Sequence, residues 1–198
     1  MLLKGFYGGL LARRPIQEET MSCIFCEMVA GRVPCHKIWE DESHMAFLSI
    51  YPNTEGFSVV IPKAHYESYA FALPDEVLSE LMLATKRVAQ LLDRAFDDVG
   101  RCGMVFEGFG VDHAHAKLIP MHGTAALEQW QPIESTSAKF FDRYEGYLSS
   151  HDAARADDEH LAVLAAKIRQ SAVYGTIYQR RAIDFPAAWH HVRYSYAF

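Results

Sequence analysis

The residue pattern of this chain predicts an α+β fold: an antiparallel five-stranded sheet, two main helices and a C-terminal extension. Three observations carry the expectation. Several short runs alternate apolar and polar residues with period two, as half-buried strands do. The stretch 75–96 repeats its apolar residues at helical spacing. The coarse order is short helix, three strands, long helix, two strands, which offers too few crossover helices for a parallel sheet and puts the helices on one face. The 198 residues, half of them apolar and 13% aromatic, suffice for one substantial core.

Taken in order, residues 22–31 read as a short helix stopped by Gly31. Residues 37–40 and 44–50 alternate or run apolar with charged residues between them, as a hairpin does. Tyr51 to Gly56 is a turn by composition. Phe57 to Ile61 is apolar and β-branched, a central strand that Pro62 ends. Pro74 and Asp75 open the long helix, whose stripe is Val77, Leu81, Ala84, Val88, Leu91 and Ala95. Gly100 and Gly103 follow as stops. Residues 104–106 form a strand, Glu107 to Gly110 a turn, and residues 111–120 the last strand. Residues 157–170 form a further helix with Leu161, Leu164, Ala165 and Ile168 on one side. The organisation expected is a leader over 1–20, with Met21 as an alternative start, a main domain over 21–125 and the extension over 126–198.

The charge balance excludes some functions. Net charge is −6 and no run of Lys or Arg makes a basic stripe, so a nucleic acid polymer is not an expected partner. A single nucleotide needs only a local cationic pocket. No apolar run reaches the length of a membrane span, and residues 1–20 lack the features of a secretory signal, so a cytoplasmic protein with no membrane partner is expected. Four cysteines in such a setting argue against a disulfide framework. The Cys23-Ile-Phe-Cys26 spacing suits a metal knuckle or a redox pair. No strand precedes it, which favours metal if two further ligands exist.

The segment Val111-Asp-His-Ala-His-Ala-Lys-Leu-Ile-Pro120 holds the chemistry. On a strand, His113, His115 and Lys117 share one face while Ala114, Ala116 and Leu118 enter a core. Neighbouring ionisable groups then stand about 6–7 Å apart, close enough to share a phosphate or a metal.

These blocks together resemble the histidine triad family. The resemblance runs over about residues 22–122 and is carried by Cys23 through Gly31, Trp39-Glu-Asp41, Ala46-Phe47, Val59-Val-Ile-Pro-Lys-Ala-His65 and His113-Ala-His115-Ala-Lys117-Leu-Ile-Pro120. It implies a five-stranded antiparallel sheet with two helices, a homodimer that joins the sheets, and a nucleotide hydrolase or nucleotidyl transferase. Hydrolysis at the α-phosphate of a dinucleoside polyphosphate or nucleoside phosphoramidate is expected. A transferase or phosphorylase using a non-water acceptor, or a nucleotide-binding regulatory module, are the alternatives.

By position, the resemblance makes His115 the nucleophile that forms a nucleotidyl-imidazole, with no catalytic metal required. Neutral imidazole suits this near pH 7, and dividing one displacement into two lowers each barrier. Lys117 would clamp the phosphate. The backbone near Gly108 and Gly110 would cradle its oxygens. Phe25, Met28, Phe47, Leu48, Ser49 and Ile50 would form the nucleotide pocket. A structural Zn²⁺ would be held by Cys23, Cys26, His65 and His113. On an ideal strand His113 faces with His115, so it must turn toward the metal at the strand entrance. His122, close behind the motif, is a further candidate for the pocket.

Three positions depart from the family pattern. Lys117 replaces the usual third His, and lysine is a cation with donors and no acceptor. Ser49 stands where an Asp commonly holds the ribose, and Phe106 where an Asn commonly sits near the phosphate loop. Nucleotide recognition is therefore less determined than the nucleophile.

Overall fold

The computed structural model describes residues 23–125, 140–145 and 153–174. The expected leader, and the parts of the expected extension at 126–139, 146–152 and 175–198, lie outside the described residues.

Helix α1 spans Ile24–Val29, and the sheet is built from β1 (Lys37–Glu40), β2 (His44–Leu48), β3 (Ser58–Pro62), β4 (Cys102–Val105) and β5 (Ala116–Pro120). Helix α2 spans Asp75–Ala95 and α3 spans Asp158–Tyr174. A 3₁₀ turn over Ala70–Ala72 precedes α2. The strand order is β1-β2-β3-β5-β4 with every pairing antiparallel.

Strand alternation divides the interior into two layers. Ala46 and Leu48 of β2, Val60 of β3, and Ala116 and Leu118 of β5 point to one face. There they meet Leu81, Ala84, Val88, Leu91 and Leu92 of α2, and Leu161, Leu164, Ala165 and Ile168 of α3. The long helices cover this face because their apolar stripes have no other surface of comparable size to bury against. Further bonds seat α3: the Ala156 N–H donates to the Ile50 carbonyl at 2.8 Å, and the Ser171 hydroxyl to the Leu91 carbonyl at 3.1 Å. His36, just before β1, donates to Asp158 at 2.9 Å.

The opposite face differs from the expectation of helices on one side only. Met45, Phe47, Val59 and Ile61 point there and are covered by α1 through Phe25, Met28 and Val29. A helix of six residues is too short to persist without this burial.

Two strand limits also differ. β4 begins at Cys102 rather than at residue 104, so Gly103, expected as a stop after the long helix, lies inside the strand. β4 is an edge strand, where a glycine is tolerated, and a Cβ there would stand 3.0 Å from Met121. The last strand begins at Ala116, not at residue 111. The His113 N–H turns back to the Val111 carbonyl at 2.9 Å, and the Ala114 N–H donates to the Tyr66 carbonyl at 2.8 Å. The backbone N–H groups of His113 and Ala114 thus bond to loop carbonyls rather than to a neighbouring strand. Among the described residues no helix is long and apolar enough to cross a membrane.

Candidate functional site

The side-chain alternation expected for 113–118 survives although its first half is loop. Ala114, Ala116 and Leu118 enter the helix-side core. His113, His115 and Lys117 turn to the α1 side and are 0%, 3% and 6% exposed. Each has a different set of partners.

His113 faces Cys23, Cys26 and His65. The ligand atoms of these four residues all lie within 4.8 Å of one another. His113 Nδ1 is 3.3 Å from Cys23 Sγ and 3.6 Å from Cys26 Sγ, and His65 Nδ1 is 3.4 Å from Cys26 Sγ. A tetrahedral zinc with Zn–S of about 2.3 Å and Zn–N of about 2.0 Å sets S···N separations near about 3.5 Å. The donor set fits such an ion in both chemistry and spacing. The outer hydrogen bond fits as well: His113 Nε2–H donates to the Pro62 carbonyl at 2.9 Å, which leaves the Nδ1 lone pair among the sulfurs. His113 can turn this way because it precedes β5 and is free of the ladder's geometry.

His115 stands beside this cluster. Its Nδ1–H donates to the His113 carbonyl at 2.7 Å, so Nε2 keeps its lone pair. Burial pushes its pKa below the ordinary imidazole value, with the Lys117 charge acting in the same direction. The ring is therefore neutral near pH 7. Phe25 holds it edge-on at 5.7 Å between centroids, and packs on His113 at the same distance.

Lys117 is paired with Glu107, which sequence reasoning had left unassigned. The ammonium donates to Glu107 Oε1, with side-chain exposures of 8% and 2%. The other carboxylate oxygen accepts the Phe109 N–H at 2.8 Å, closing the turn Glu107 to Gly110. Gly108 has φ +71°, and a Cβ there would stand 2.9 Å from the Ser68 backbone oxygen. Val105, two residues before Glu107, is the cross-strand partner of Lys117, so the turn after β4 returns Glu107 to the ammonium, a pairing that no local period along the chain marks.

The six expected pocket residues divide. Phe25, Met28 and Phe47 gather on the α1 side, with Phe25 and Phe47 edge-on at 5.3 Å. Leu48 lies on the other sheet face, in the core with α2 and α3. Ile50 packs against that same core, and Ser49 bonds its N–H to the Phe57 carbonyl at 2.9 Å. Leu48 and Ser49 line a small apolar recess with His160, Leu161 and Leu164 of α3. Leu48 points away from Phe25 because one step along a strand reverses the side-chain direction. Gly108 and Gly110, both with positive φ, lie in the loop that Glu107 closes. His122 turns away from His115: its two ring nitrogens donate to Asp98 at 3.1 Å and to the Glu55 carbonyl at 3.0 Å. Phe106 packs against the helix-side core.

Comparison with known proteins follows the same outline. The model of the HIT domain family matches residues 30–127. An uncharacterised HIT-like protein of Methanocaldococcus jannaschii is 34% identical over 104 residues, which cover 50% of this chain and 79% of that protein. An adenosine 5'-monophosphoramidase of Candida albicans is 30% identical over 149 residues, covering 71% of this chain and 97% of its own length. Among solved structures, a Zn-bound histidine triad family protein from Mycobacterium smegmatis superposes with a TM-score of 0.56 at 22% identity. The match covers 79% of this chain and 96% of that one, and the likeness bears on the fold.

Proposed function

The chain belongs to the HIT family, and from that premise we propose that it is a nucleotide hydrolase that cleaves at the α-phosphate through a covalent intermediate on His115. The observation that carries this reading is the fixed tautomer of His115. With Nδ1–H committed to the His113 carbonyl, the Nε2 lone pair is the nucleophile. Nε2 forms a bond to phosphorus while the bond to the leaving group breaks, and the leaving group departs with its electron pair and takes a proton from solvent. Water then attacks phosphorus and gives up a proton to solvent, the P–N bond breaks with its electron pair returning to Nε2, and the neutral imidazole is restored. A low pKa keeps the ring unprotonated for the first step. Lys117 directs N–H donors at developing charge on the phosphoryl oxygens. The similarity to adenosine 5'-monophosphoramidases supports a nucleoside phosphoramidate as substrate. Phe25, Met28 and Phe47 supply apolar surface for the base beside His115.

Cys23, Cys26, His65 and His113 hold a structural zinc in this reading, supported by their mutual spacing and by the zinc in a relative of the same fold. Bound by these four residues, such an ion would join α1 to the loop before β5 and so would reinforce the contact of Phe25 with His115. A homodimer in the cytoplasm completes the proposal; sedimentation of the purified protein tests the dimer.

The deciding experiment is intact-mass analysis after mixing with adenosine 5'-phosphoramidate. The wild type is expected to gain one adenylyl group that turns over, and His115→Ala to gain none while keeping its circular dichroism spectrum. Undiminished turnover in His115→Ala would refute the mechanism. Product analysis with and without added phosphate separates hydrolysis from transfer.

A further inference from the structure

We propose that Glu107 is a charge-selectivity residue: by neutralising Lys117 inside the site, it makes the catalytic face favour singly charged nucleotide phosphates over polyphosphates. The inference rests on the nucleotide reading above and deepens it.

Counted from sequence, Lys117 is a free cation beside the nucleophile, and such a site would welcome a polyphosphate chain. The structure changes that count. Lys117 and Glu107 form an ion pair with both side chains nearly closed to solvent. An ammonium and a carboxylate in contact sum to zero charge. The cross-strand neighbours of Lys117 are Val59 and Val105, and both side chains of the pair are withdrawn from solvent, so charge there is poorly screened.

The carboxylate cannot readily swing away. Its second oxygen holds the Phe109 N–H, and the turn it closes passes through Gly108 at positive φ against the Ser68 backbone. Asp112 adds a further carboxylate on the same loop, held by the Ser68 N–H at 2.9 Å. A phosphoramidate group brings one negative charge, and Lys117 retains N–H donors for it. Each additional phosphate brings at least one more negative charge and meets no net positive charge from this pair. Glu107 thus acts on substrate choice through Lys117 and through the local field.

The test compares kcat/KM for adenosine 5'-phosphoramidate and for diadenosine tetraphosphate. Wild type is expected to favour the phosphoramidate. Glu107→Gln leaves Lys117 uncompensated and should move the ratio toward the tetraphosphate by about tenfold or more at low salt, with the shift shrinking as salt is raised. The double variant Glu107→Gln with Lys117→Met is neutral again and should return the ratio close to wild type, even if both rates fall. A merely structural role would not restore it. A ratio unmoved in Glu107→Gln, or equally moved in the double variant, overturns the proposal.

If Glu107→Gln does not fold, Lys117→Met alone leaves a negative site. It should shift the ratio further from the tetraphosphate, and no shift overturns the proposal. If wild type cleaves neither substrate but binds AMP, ADP and ATP in calorimetry, the hydrolase reading fails. Selectivity is then decided by whether Glu107→Gln tightens ATP relative to AMP. Binding of none of the three overturns both.

Discussion

Gly108 and Gly31 make a controlled pair, because the fold holds both at nearly the same left-handed φ, +71° and +72°. A residue with a Cβ pays about 1–2 kcal/mol in that region whatever its surroundings. The surroundings then differ. A Cβ at Gly31 meets nothing within 4 Å, whereas at Gly108 it stands 2.9 Å from the Ser68 oxygen and 3.3 Å from the Ser68 carbonyl carbon. Those are backbone atoms that cannot rotate aside, and forcing such a contact costs about 1–3 kcal/mol more. Gly31→Ala should therefore lose about 1–2 kcal/mol and Gly108→Ala about 2–5 kcal/mol. Equilibrium urea unfolding measures both on one scale. Gly108→Ala should also lose turnover, since the loop that moves carries Glu107 and the Phe109 N–H. Gly31→Ala should keep it. Equal stability losses in the two variants would refute the close approach of this loop to Ser68, and with it the argument that the Glu107 turn is rigidly placed.

Three other outcomes are expected. Cys26→Ser should lower zinc content by elemental analysis and lose on the order of several kcal/mol of stability with it, because metal binding and folding are linked. An unchanged melting temperature would sink the metal site. Ile168→Ala removes three carbons from a residue that is 0% exposed between α3 and the core, worth about 3–4 kcal/mol with the cavity left behind. A loss below about 1 kcal/mol, within the range of surface substitutions, would mean that α3 is not integral to the domain. His122 has a pKa raised above its ordinary 6.5, first by its bond to the Glu55 carbonyl and then by Asp98. Its contribution is fully present below the unfolded pKa and is lost as pH rises through the higher folded one. The melting-temperature gap between wild type and His122→Asn should accordingly narrow from about pH 6 to about pH 8. A gap that widens over that range contradicts the clasp.

The sheet, the long helices and the order of elements were legible because each rests on local periodicity. Val77 to Ala95 reads as one helix from its own spacing, and the alternation through Ala114, Ala116 and Leu118 marks the buried face without any knowledge of what lies opposite. The four metal-donor candidates were named from the Cys pair and the family resemblance, and the fold gathers their ligand atoms within 4.8 Å of one another. Other features were not legible. The start of β5 at Ala116 depends on Tyr66 taking the Ala114 N–H, a partner 48 positions away. The family resemblance grouped Leu48, Ser49 and Ile50 with Phe47, yet the pleat sends Leu48 to the opposite face. Glu107 was unassigned because its partner is reached only across a hairpin.

The sequence by itself determined which residues could do chemistry: two imidazoles, an amine and a Cys pair in an arrangement that marks the HIT family. Only the tertiary structure decided what each does with its neighbours. Local residue order sets which way a side chain points, but charge and tautomer depend on partners that distant segments bring within hydrogen-bond reach. Lys117 looks like a free cation along the chain. In the fold, Glu107 makes it half of a neutral pair.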